Sequence, residues 1–306
     1  MNHKIYIAGI FLILLATACR KEEVTVFPDY DKNWLVVDDN PNDPTIHGNY
    51  LFFKETGIPV YVNDTIGTQA RVDVFGRNFT HYEKLSLSYS IGGLQAGAPP
   101  LVYSFSYCNK ADVPAALAYL KSEILPVLPK GIYVPSILLV ANLNTNGFKY
   151  AFKGLNTVVI GQIANIPTMD QTTKVQYKGA ILRAMLTNAM LRPKYADILD
   201  KFANATRKFV TVSDAYDLAT FYLNSRVTGL PAGVSPSLQA IGFIDAEPTN
   251  PYITPATPSM DANMYVEAIL GRTDAEFKAL YGTNPVIMIK YNLIRQILTD
   301  LGIPTL

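Results

Sequence analysis

Histidine and cysteine, the side chains that most often perform catalytic or metal chemistry, are scarce in this sequence. The 306-residue chain holds three histidines, His3, His47 and His81, and two cysteines, Cys19 and Cys108. A Ser-His-Asp or Cys-His hydrolase would have to use His47 or His81, and neither lies in the strand-turn-helix context that exposes a nucleophile. His81 is more typical of a strand-end histidine whose ring is hydrogen-bonded. The histidine pattern therefore disfavours hydrolysis without a metal.

Cys19 has the most specific context of any residue in the chain. Lys4, an uncharged run over 5–15 and the small residues Ala16-Thr17-Ala18 precede it, in the order of a secretory signal peptide. The run is well short of the about 20 residues that span a membrane. The site resembles the lipobox of bacterial lipoproteins, in which the thiol receives diacylglycerol and the leader is cut just before it. We therefore predict a signal peptide at 1–18, lipidation of Cys19 and membrane attachment; the alternative is a secreted protein with a free Cys19.

The residues after Cys19 bear on where the protein is located. Arg20-Lys21-Glu22-Glu23 resembles the surface-export signal of Bacteroidetes lipoproteins, which implies an outer-membrane protein facing the cell exterior; an ordinary charged tether is the alternative. With 26 basic and 25 acidic side chains, the net charge predicts no nucleic-acid partner. Once Cys19 is lipidated, Cys108 has no thiol to pair with, so we expect the fold to depend on its core and not on disulfides.

The rest of the chain divides into a tether and a domain. Residues 19–49 are rich in Asp, Asn and Pro, and they are expected to form a tether with at most one short strand, at 34–37. A packed domain is expected over 50–306. A helix is predicted in its first half, beginning at Asp112 and ending before Pro126. Strand patterns occur at 58–62, 70–75, 101–107, 136–141 and 156–160.

In the second half of this domain, the spacing of apolar residues and the capping residues mainly predict helices. A long Gly- and Pro-rich connection follows at 228–258, and loops of this length in a compact domain are often functional. Tyr252 lies in it and is a candidate ligand contact, because a tyrosine ring stacks and its hydroxyl hydrogen-bonds. The order of strands and then helices indicates an α+β fold. Helices are predicted at 174–191, 194–204, 214–224, 261–270, 274–281 and 285–301.

Six segments between residues 135 and 306 follow one another in a recognisable order. They are Ser136-Ile137-Leu138-Leu139-Val140, Thr157-Val158-Val159-Ile160-Gly161, Gly242-Phe243-Ile244, Tyr252-Ile253-Thr254, Met264-Tyr265-Val266-Glu267-Ala268 and Lys290-Tyr291-Asn292-Leu293-Ile294. In order and spacing they resemble the zinc-binding metallopeptidase lipoproteins of Bacteroidetes, which are encoded beside TonB-dependent import systems. The second segment would be the edge strand before the active-site helix. The resemblance implies a zincin-like fold, with an N-terminal mixed sheet, a zinc-bearing helix packed beneath it and a mainly helical second half.

The zinc motif of that family is missing from the corresponding helix. The family carries His-Glu-x-x-His, because histidines at i and i+4 share one face and hold one zinc while the Glu activates its water. Here the positions read Arg183-Ala184-Met185-Leu186-Thr187, with Arg183 and Thr187 at the ligand positions and Ala184 at the general base. Arginine keeps its proton and offers no lone pair, and alanine cannot accept a proton. We therefore predict no metal, no cofactor and no catalytic residue.

Glu267 occupies a position where the family keeps a glutamate. It is expected to pair with Arg183, or else to be a solvated charge on a helix face. Asp261 and Glu267 have no acidic partner on the degenerate helix, so a metal site made of carboxylates alone is disfavoured. The helix can still be buried as core without a metal, through an apolar stripe. This stripe consists of Ile181, Leu182, Met185, Leu186, Ala189 and Met190.

The leading hypothesis is a surface-exposed lipoprotein whose zincin-like domain is catalytically inactive and serves as a binding or accessory component of a SusC/SusD-type nutrient import system. Its partners would be the membrane, through the lipid anchor, a TonB-dependent transporter with its SusD-type lipoprotein, and a peptide or glycan ligand. Two alternatives stay open. One is an active zinc metallohydrolase or peptidase with displaced ligands, and the other is a purely structural partner of the transporter.

Overall fold

The structure is a computed structural model that describes residues 32–88 and 102–304. The predicted signal peptide at 1–18, the predicted lipidation site Cys19 and the charged residues at 20–23 lie outside the described residues. A compact unit begins at Trp34, whose backbone carbonyl accepts a 2.6 Å hydrogen bond from the Tyr61 hydroxyl. Within the two described ranges, no helix is both long and apolar enough to cross a bilayer.

The described strands form one mixed sheet and one hairpin. They are β1 (Val60–Tyr61), β2 (Thr65–Val72), β3 (Asn78–Lys84), β4 (Tyr103–Tyr107), β5 (Ile137–Thr145), β6 (Ala151–Lys153) and β7 (Val158–Ile160). The first half of β5 pairs in parallel with β1 and with β7, and its second half pairs with antiparallel β4. β6 pairs antiparallel to β7 and ends the order β1-β5-β7-β6. β2 and β3 form the separate antiparallel hairpin.

The first half of the central strand, β5, is buried on both faces, as its continuous apolar sequence predicts. Successive side chains of a strand point to opposite faces. On one face, Ile137 and Leu139 belong to the main core, which they share with the helices. On the other face, Leu138 and Val140 pack in a second cluster with Leu85. The sheet therefore lies between the helical core and the segment that follows the hairpin.

Most helices follow the sheet along the chain, and the fold is α+β as predicted. The helices predicted at 174–191, 194–204, 261–270, 274–281 and 285–301 are confirmed, with small shifts at their ends. The α-helices are α1 (Pro44–Thr56), α2 (Val113–Tyr119), α3 (Gln171–Met190), α4 (Ala196–Arg207), α5 (Leu223–Arg226), α6 (Pro258–Leu270), α7 (Asp274–Tyr281) and α8 (Pro285–Asp300). A π-helical turn (Leu120–Ile124) extends α2. Short 3-10 turns lie at Lys110–Asp112, Ile163–Thr168, Pro193–Tyr195, Thr220–Tyr222 and Gln239–Ile241.

The tether predicted at 19–49 overlaps a helix of the structure, α1. α1 begins at Pro44, because the Asp43 carboxylate accepts hydrogen bonds from the backbone N–H groups of Thr45 and Ile46, and proline suits the first turn of a helix. The predicted boundary between tether and domain, at 49/50, therefore falls inside α1. The prediction allowed at most one short strand there, at 34–37, and the structure has a turn and a bend in place of a strand.

Two further predictions about elements are corrected. The helix predicted at 214–224 is mostly irregular, because Asp217 adopts a φ of 55° and the Leu218 N–H donates to Thr254 Oγ1 at 2.9 Å instead of to a helical carbonyl. The segment 157–161 is not the edge strand, because β7 lies between β5 and β6. The edge is β6, whose three residues are too few to show a strand pattern in the sequence.

Glycines set the distance between α3 and α6, which are in close contact. A Cβ on Gly179 would lie 2.1 Å from the carbonyl oxygen of Glu267, and a Cβ on Gly271 would lie 2.2 Å from that of Val175. Any larger residue would force the backbones apart. The crossing therefore brings Glu267 of α6 directly against α3.

Candidate functional site

Helix α3 carries Arg183, Ala184 and Thr187, the positions that the resemblance aligns with the zinc motif, and packs against β6, β7 and α6. Its start is fixed by Asp170, whose carboxylate accepts a 2.7 Å hydrogen bond from the Thr173 N–H. The predicted apolar stripe is confirmed as core, since all six of its residues are buried. Arg183 is also buried, at 3% exposure, although it is charged. A buried charge needs partners, so its contacts define the site.

The Arg183 side chain connects the three elements around it. Its Nε donates to Oε2 of Glu267 at 3.0 Å, and its Nη2 donates to the carbonyl oxygen of Ala151 in β6 at 2.7 Å. The guanidinium carbon lies 3.9 Å from the centre of the Phe148 ring, a cation–π distance. The predicted pairing of Arg183 with Glu267 is therefore confirmed, and the alternative of a solvated Glu267 is wrong.

Burial acts on the ionisation of both partners. Burial lowers the pKa of Arg183, and the negative charge of Glu267 opposes this shift. Burial raises the pKa of Glu267, and the positive charge of Arg183 opposes that shift. Arginine is too basic to lose its proton at biological pH, so the site keeps a permanent cation. The Glu267 side chain is 23% exposed, so one side of the pair faces solvent.

The side chains at the three motif positions do not fit zinc, which binds imidazole, thiolate or carboxylate groups. Arg183 is a hydrogen-bonded cation and Ala184 is a buried methyl group. The Thr187 hydroxyl donates to the Arg183 carbonyl oxygen at 2.9 Å. Among the residues that the structure describes, no group of three or more His, Cys, Asp or Glu side chains could hold a metal ion. No step through zinc can be assigned to these side chains.

A cavity of about 270 Å³ opens beside Glu267. Its walls come from the loop at 148–150, from α6 and from the segment 244–248. Glu267 lines the cavity, whereas Arg183 and Met190 do not. Aromatic rings and charges of both signs surround it, so it can accept a ligand with apolar and polar parts. The rings and charges that join Glu267 there are Phe148, Lys149, Tyr150, Asp245, Arg272 and Tyr281.

The other residues that the sequence singled out lie outside this cavity. Tyr252 is 72% exposed and does not line it, so its role as a ligand contact stays a prediction. The His81 ring lies 3.0 Å from a Glu83 oxygen, as expected of a hydrogen-bonded histidine. The His47 ring lies 2.7 Å from a carboxylate oxygen of Asp39. Each ring is thus engaged by a carboxylate on its own part of the chain.

Sequence reasoning missed a second buried ion pair, between Asp261 of α6 and Lys290 of α8. The Tyr216 hydroxyl donates to Asp261 Oδ2 at 3.0 Å, and Lys290 Nζ donates to Thr206 Oγ1 at 2.9 Å. A signal for it exists in the sequence, because Lys290 stands four residues before the core residue Ile294. A lysine in the apolar stripe of a helix requires a buried partner.

Comparison of the chain with protein-family models, with curated proteins and with solved structures finds no match. The geometry of the side chains is therefore the basis on which a function is assigned.

Proposed function

We propose that this chain is a surface lipoprotein whose zincin-like domain has lost catalysis and binds a peptide or glycan ligand for a SusC/SusD-type import system. The observation that carries the proposal is the Arg183–Glu267 ion pair, which occupies the degenerate metal position. The packing of α3 against β6 and β7 supports the zincin-like part, because that fold holds its motif helix beneath a sheet. A separate experiment tests the lipid anchor. In cell fractionation, the wild-type chain should be found with the membranes and the Cys19→Ser chain should not.

The Arg183 guanidinium disfavours catalysis by a metal at this position. Its charge lies within hydrogen-bonding distance of Glu267, the nearest carboxylate that could serve as a ligand. A divalent cation placed there would be repelled at close range inside a poorly screened interior. The carboxylate is already neutralised by Arg183, so it has little to offer a second cation. Ala184 leaves no group to activate a water molecule.

The cavity beside Glu267 supports a binding role. It joins aromatic rings, which stack on sugar rings or apolar side chains, to charged groups that can orient a ligand. Lys149 and Arg272 lie in its wall with Asp245 and Glu267, so hydrogen-bond donors and acceptors are both present. This combination fits a small neutral or zwitterionic ligand such as an oligosaccharide or a short peptide.

Zinc analysis of two designed chains tests the loss of the metal site. The chain Arg183→His/Ala184→Glu/Thr187→His restores the motif and places two imidazoles beside the Glu267 carboxylate, a ligand set that zinc favours. After dialysis, elemental analysis should find one zinc per restored chain and far less than one per wild-type chain. The matched control Arg183→Gln/Ala184→Glu/Thr187→Gln lacks imidazoles and should behave as wild type. Stoichiometric zinc in the wild-type chain would overturn the proposal.

A filled cavity tests the binding role. Peptide and oligosaccharide mixtures are screened against the wild-type chain by thermal shift and then by calorimetry. Met264→Trp, which places a bulky ring in the cavity wall, should abolish binding of any ligand found. Tyr252→Ala, outside the cavity, is the matched control and should leave affinity within about twofold, an effect below 0.5 kcal/mol on the scale of about 1.4 kcal/mol per tenfold. If Tyr252→Ala abolished binding and Met264→Trp did not, the ligand would bind at Tyr252 and the proposed binding role of the cavity would be refuted.

A further inference from the structure

The Asp261–Lys290 pair is enclosed to a degree that is unusual for an ion pair. The side chains are 1% and 0% exposed. Lys290 Nζ lies 4.2 Å from the ring centre of Phe202, 4.9 Å from that of Phe243 and 5.2 Å from that of Tyr265. Three aromatic rings therefore surround the amine and keep water from it.

The hydrogen bonds of this pair are incomplete. Asp261 Oδ2 accepts from Lys290 Nζ and from the Tyr216 hydroxyl. Asp261 Oδ1 is buried and has no hydrogen-bond partner among the described residues. A buried carboxylate that leaves one oxygen unpaired is costly as an anion. The site therefore favours a carboxyl group that carries no charge.

The same burial disfavours the charge on the amine. Burial raises the pKa of Asp261 and lowers the pKa of Lys290, and in both cases the charge of the partner opposes the shift. Transfer of one proton from the ammonium to the carboxylate gives a neutral amine beside a carboxylic acid. A desolvated lysine amine is a nucleophile, and the carbon of the carboxyl group to which it is hydrogen-bonded is an electrophile.

We propose that Lys290 and Asp261 become joined by an intramolecular amide bond between Nζ and Cγ. After the proton transfer, the Nζ lone pair attacks Cγ, and the bond from Cγ to Oδ2 breaks. Oδ2 leaves as water, carrying the proton received from the ammonium and the proton that Nζ loses. Oδ1 stays as the amide oxygen, and one N–H remains on Nζ. No oxidant, reductant or activated co-reactant is needed.

The neighbouring groups hold the reacting atoms in place for this step. The Tyr216 hydroxyl is hydrogen-bonded to the leaving oxygen, and Thr206 Oγ1 accepts from Nζ and can retain the amide N–H. Gly242 leaves room for the lysine stem, because a Cβ there would lie 3.1 Å from Lys290 Cδ. Two groups fixed in contact react as if at very high concentration, and a dry site slows the reverse hydrolysis.

Peptide mapping of the full chain tests the bond. Trypsin cleaves after Arg226, Arg272, Lys278 and Arg295, but it cannot cleave after an acylated Lys290. The denatured wild-type chain should yield peptide 227–272 joined to peptide 279–295, one water lighter than their sum. The linear peptide 279–290 should be lost.

The Lys290→Arg chain is the matched control, because arginine keeps the charge and the cleavage site but does not acylate under these conditions. It should yield linear 227–272 and 279–290. Recovery of these two peptides from the wild-type chain at the control's level would overturn the bond and leave a plain ion pair. The wild-type measurement does not depend on whether the Lys290→Arg chain folds.

Discussion

At the scale of single residues, two buried pairs, each of an acidic and a basic side chain, tie α6 to its neighbours. Arg183–Glu267 reaches α3 and, through the Ala151 carbonyl, the sheet edge. Asp261–Lys290 reaches α8 inside a shell of aromatic rings. Removing one member of the Arg183–Glu267 pair costs more than the intact pair contributes, because the remaining charge stays buried without a partner.

Arg183→Met should therefore destabilise the fold strongly. Loss of the guanidinium leaves the Glu267 carboxylate without its counter-charge and the Ala151 carbonyl without its donor. We expect the free energy of unfolding at neutral pH to fall by about 3 kcal/mol, measured by urea denaturation. Since burial raises the pKa of Glu267, its anion destabilises the fold above that pKa. The loss should shrink as the pH falls and Glu267 takes up a proton.

The double variant Arg183→Met/Glu267→Gln measures the interaction energy between the two side chains. It removes both charges, so it should lose less stability than the sum of the two single variants. Strict additivity would show that the two side chains do not interact in solution.

The sequence predicts the pairing of Arg183 with Glu267 from their opposite charges and from the order of the segments that contain them, and the contact is present. The pairing of Asp261 with Lys290 could not be predicted from the sequence, although each of them is visible as a polar residue in an apolar helical stripe. Its other partners, Tyr216 and Thr206, come from separate elements, and only the three-dimensional packing brings them together.

At the scale of elements, the crossing of α3 and α6 decides where the charged groups meet. Gly179 allows the α6 backbone to approach, since a Cβ there would lie 2.1 Å from the Glu267 carbonyl oxygen. In an exposed helix, exchange of glycine for alanine adds up to about 1 kcal/mol of stability. At this crossing, steric overlap makes the exchange of glycine for alanine destabilising.

Gly179→Ala should destabilise the fold by about 1–3 kcal/mol, the usual cost of overpacking. Gly48→Ala in α1 is the matched control, because its Cβ would lie 3.9 Å from the nearest atom, Leu117 Cδ1, an ordinary contact. That variant should be as stable as wild type or more so. Thermal unfolding of the two chains side by side measures the difference, and a stabilised Gly179→Ala chain would contradict the close crossing.

The sequence predicts elements best where local signals agree. α7 has the ends that the sequence predicts, and Thr273 and Glu276 form a capping box at its start. β6 was missed because it is held in the sheet by pairing with β7 and not by its own composition. The helix predicted at 214–224 failed because Asp214 bonds to Arg207 and to the Tyr216 N–H, which favours a turn.

At the scale of the whole molecule, tyrosine hydroxyls are part of the interior. Burial raises the pKa of Tyr61 to about 12, and burial with a hydrogen bond to Asp274 raises the pKa of Tyr291 to about 12. A tyrosine in the unfolded chain loses its proton near pH 10. Alkali therefore ionises the unfolded chain before it ionises the folded one.

The free energy of unfolding should fall as the pH rises from about 10 to about 12. The raised pKa values mean that these tyrosines contribute fully below pH ~10, and the contribution is lost as the pH passes through their folded values. Urea denaturation at a series of alkaline pH values measures the slope. Tyr61→Phe should make the slope shallower, and a slope equal to that of wild type would exclude Tyr61 from the effect.

The α+β class follows from the order of strand and helix patterns, which is a property of the sequence alone. The start of the folded unit does not follow from the sequence pattern, because a segment rich in Asp, Asn and Pro also fits a tether. There, Asp43 and Pro44 act together as a helix start, and Tyr61 fixes Trp34 through one hydrogen bond. Both effects depend on contacts that composition does not reveal.

The Arg183 guanidinium holds α3, α6 and β6 together through its hydrogen bonds, and this cation is part of the polypeptide itself. A junction held by a bound ion is only as complete as the supply of that ion allows, since occupancy follows mass action. A covalently attached cation is present once in every molecule, whatever the surroundings contain. Chelators and metal starvation should therefore leave this junction closed.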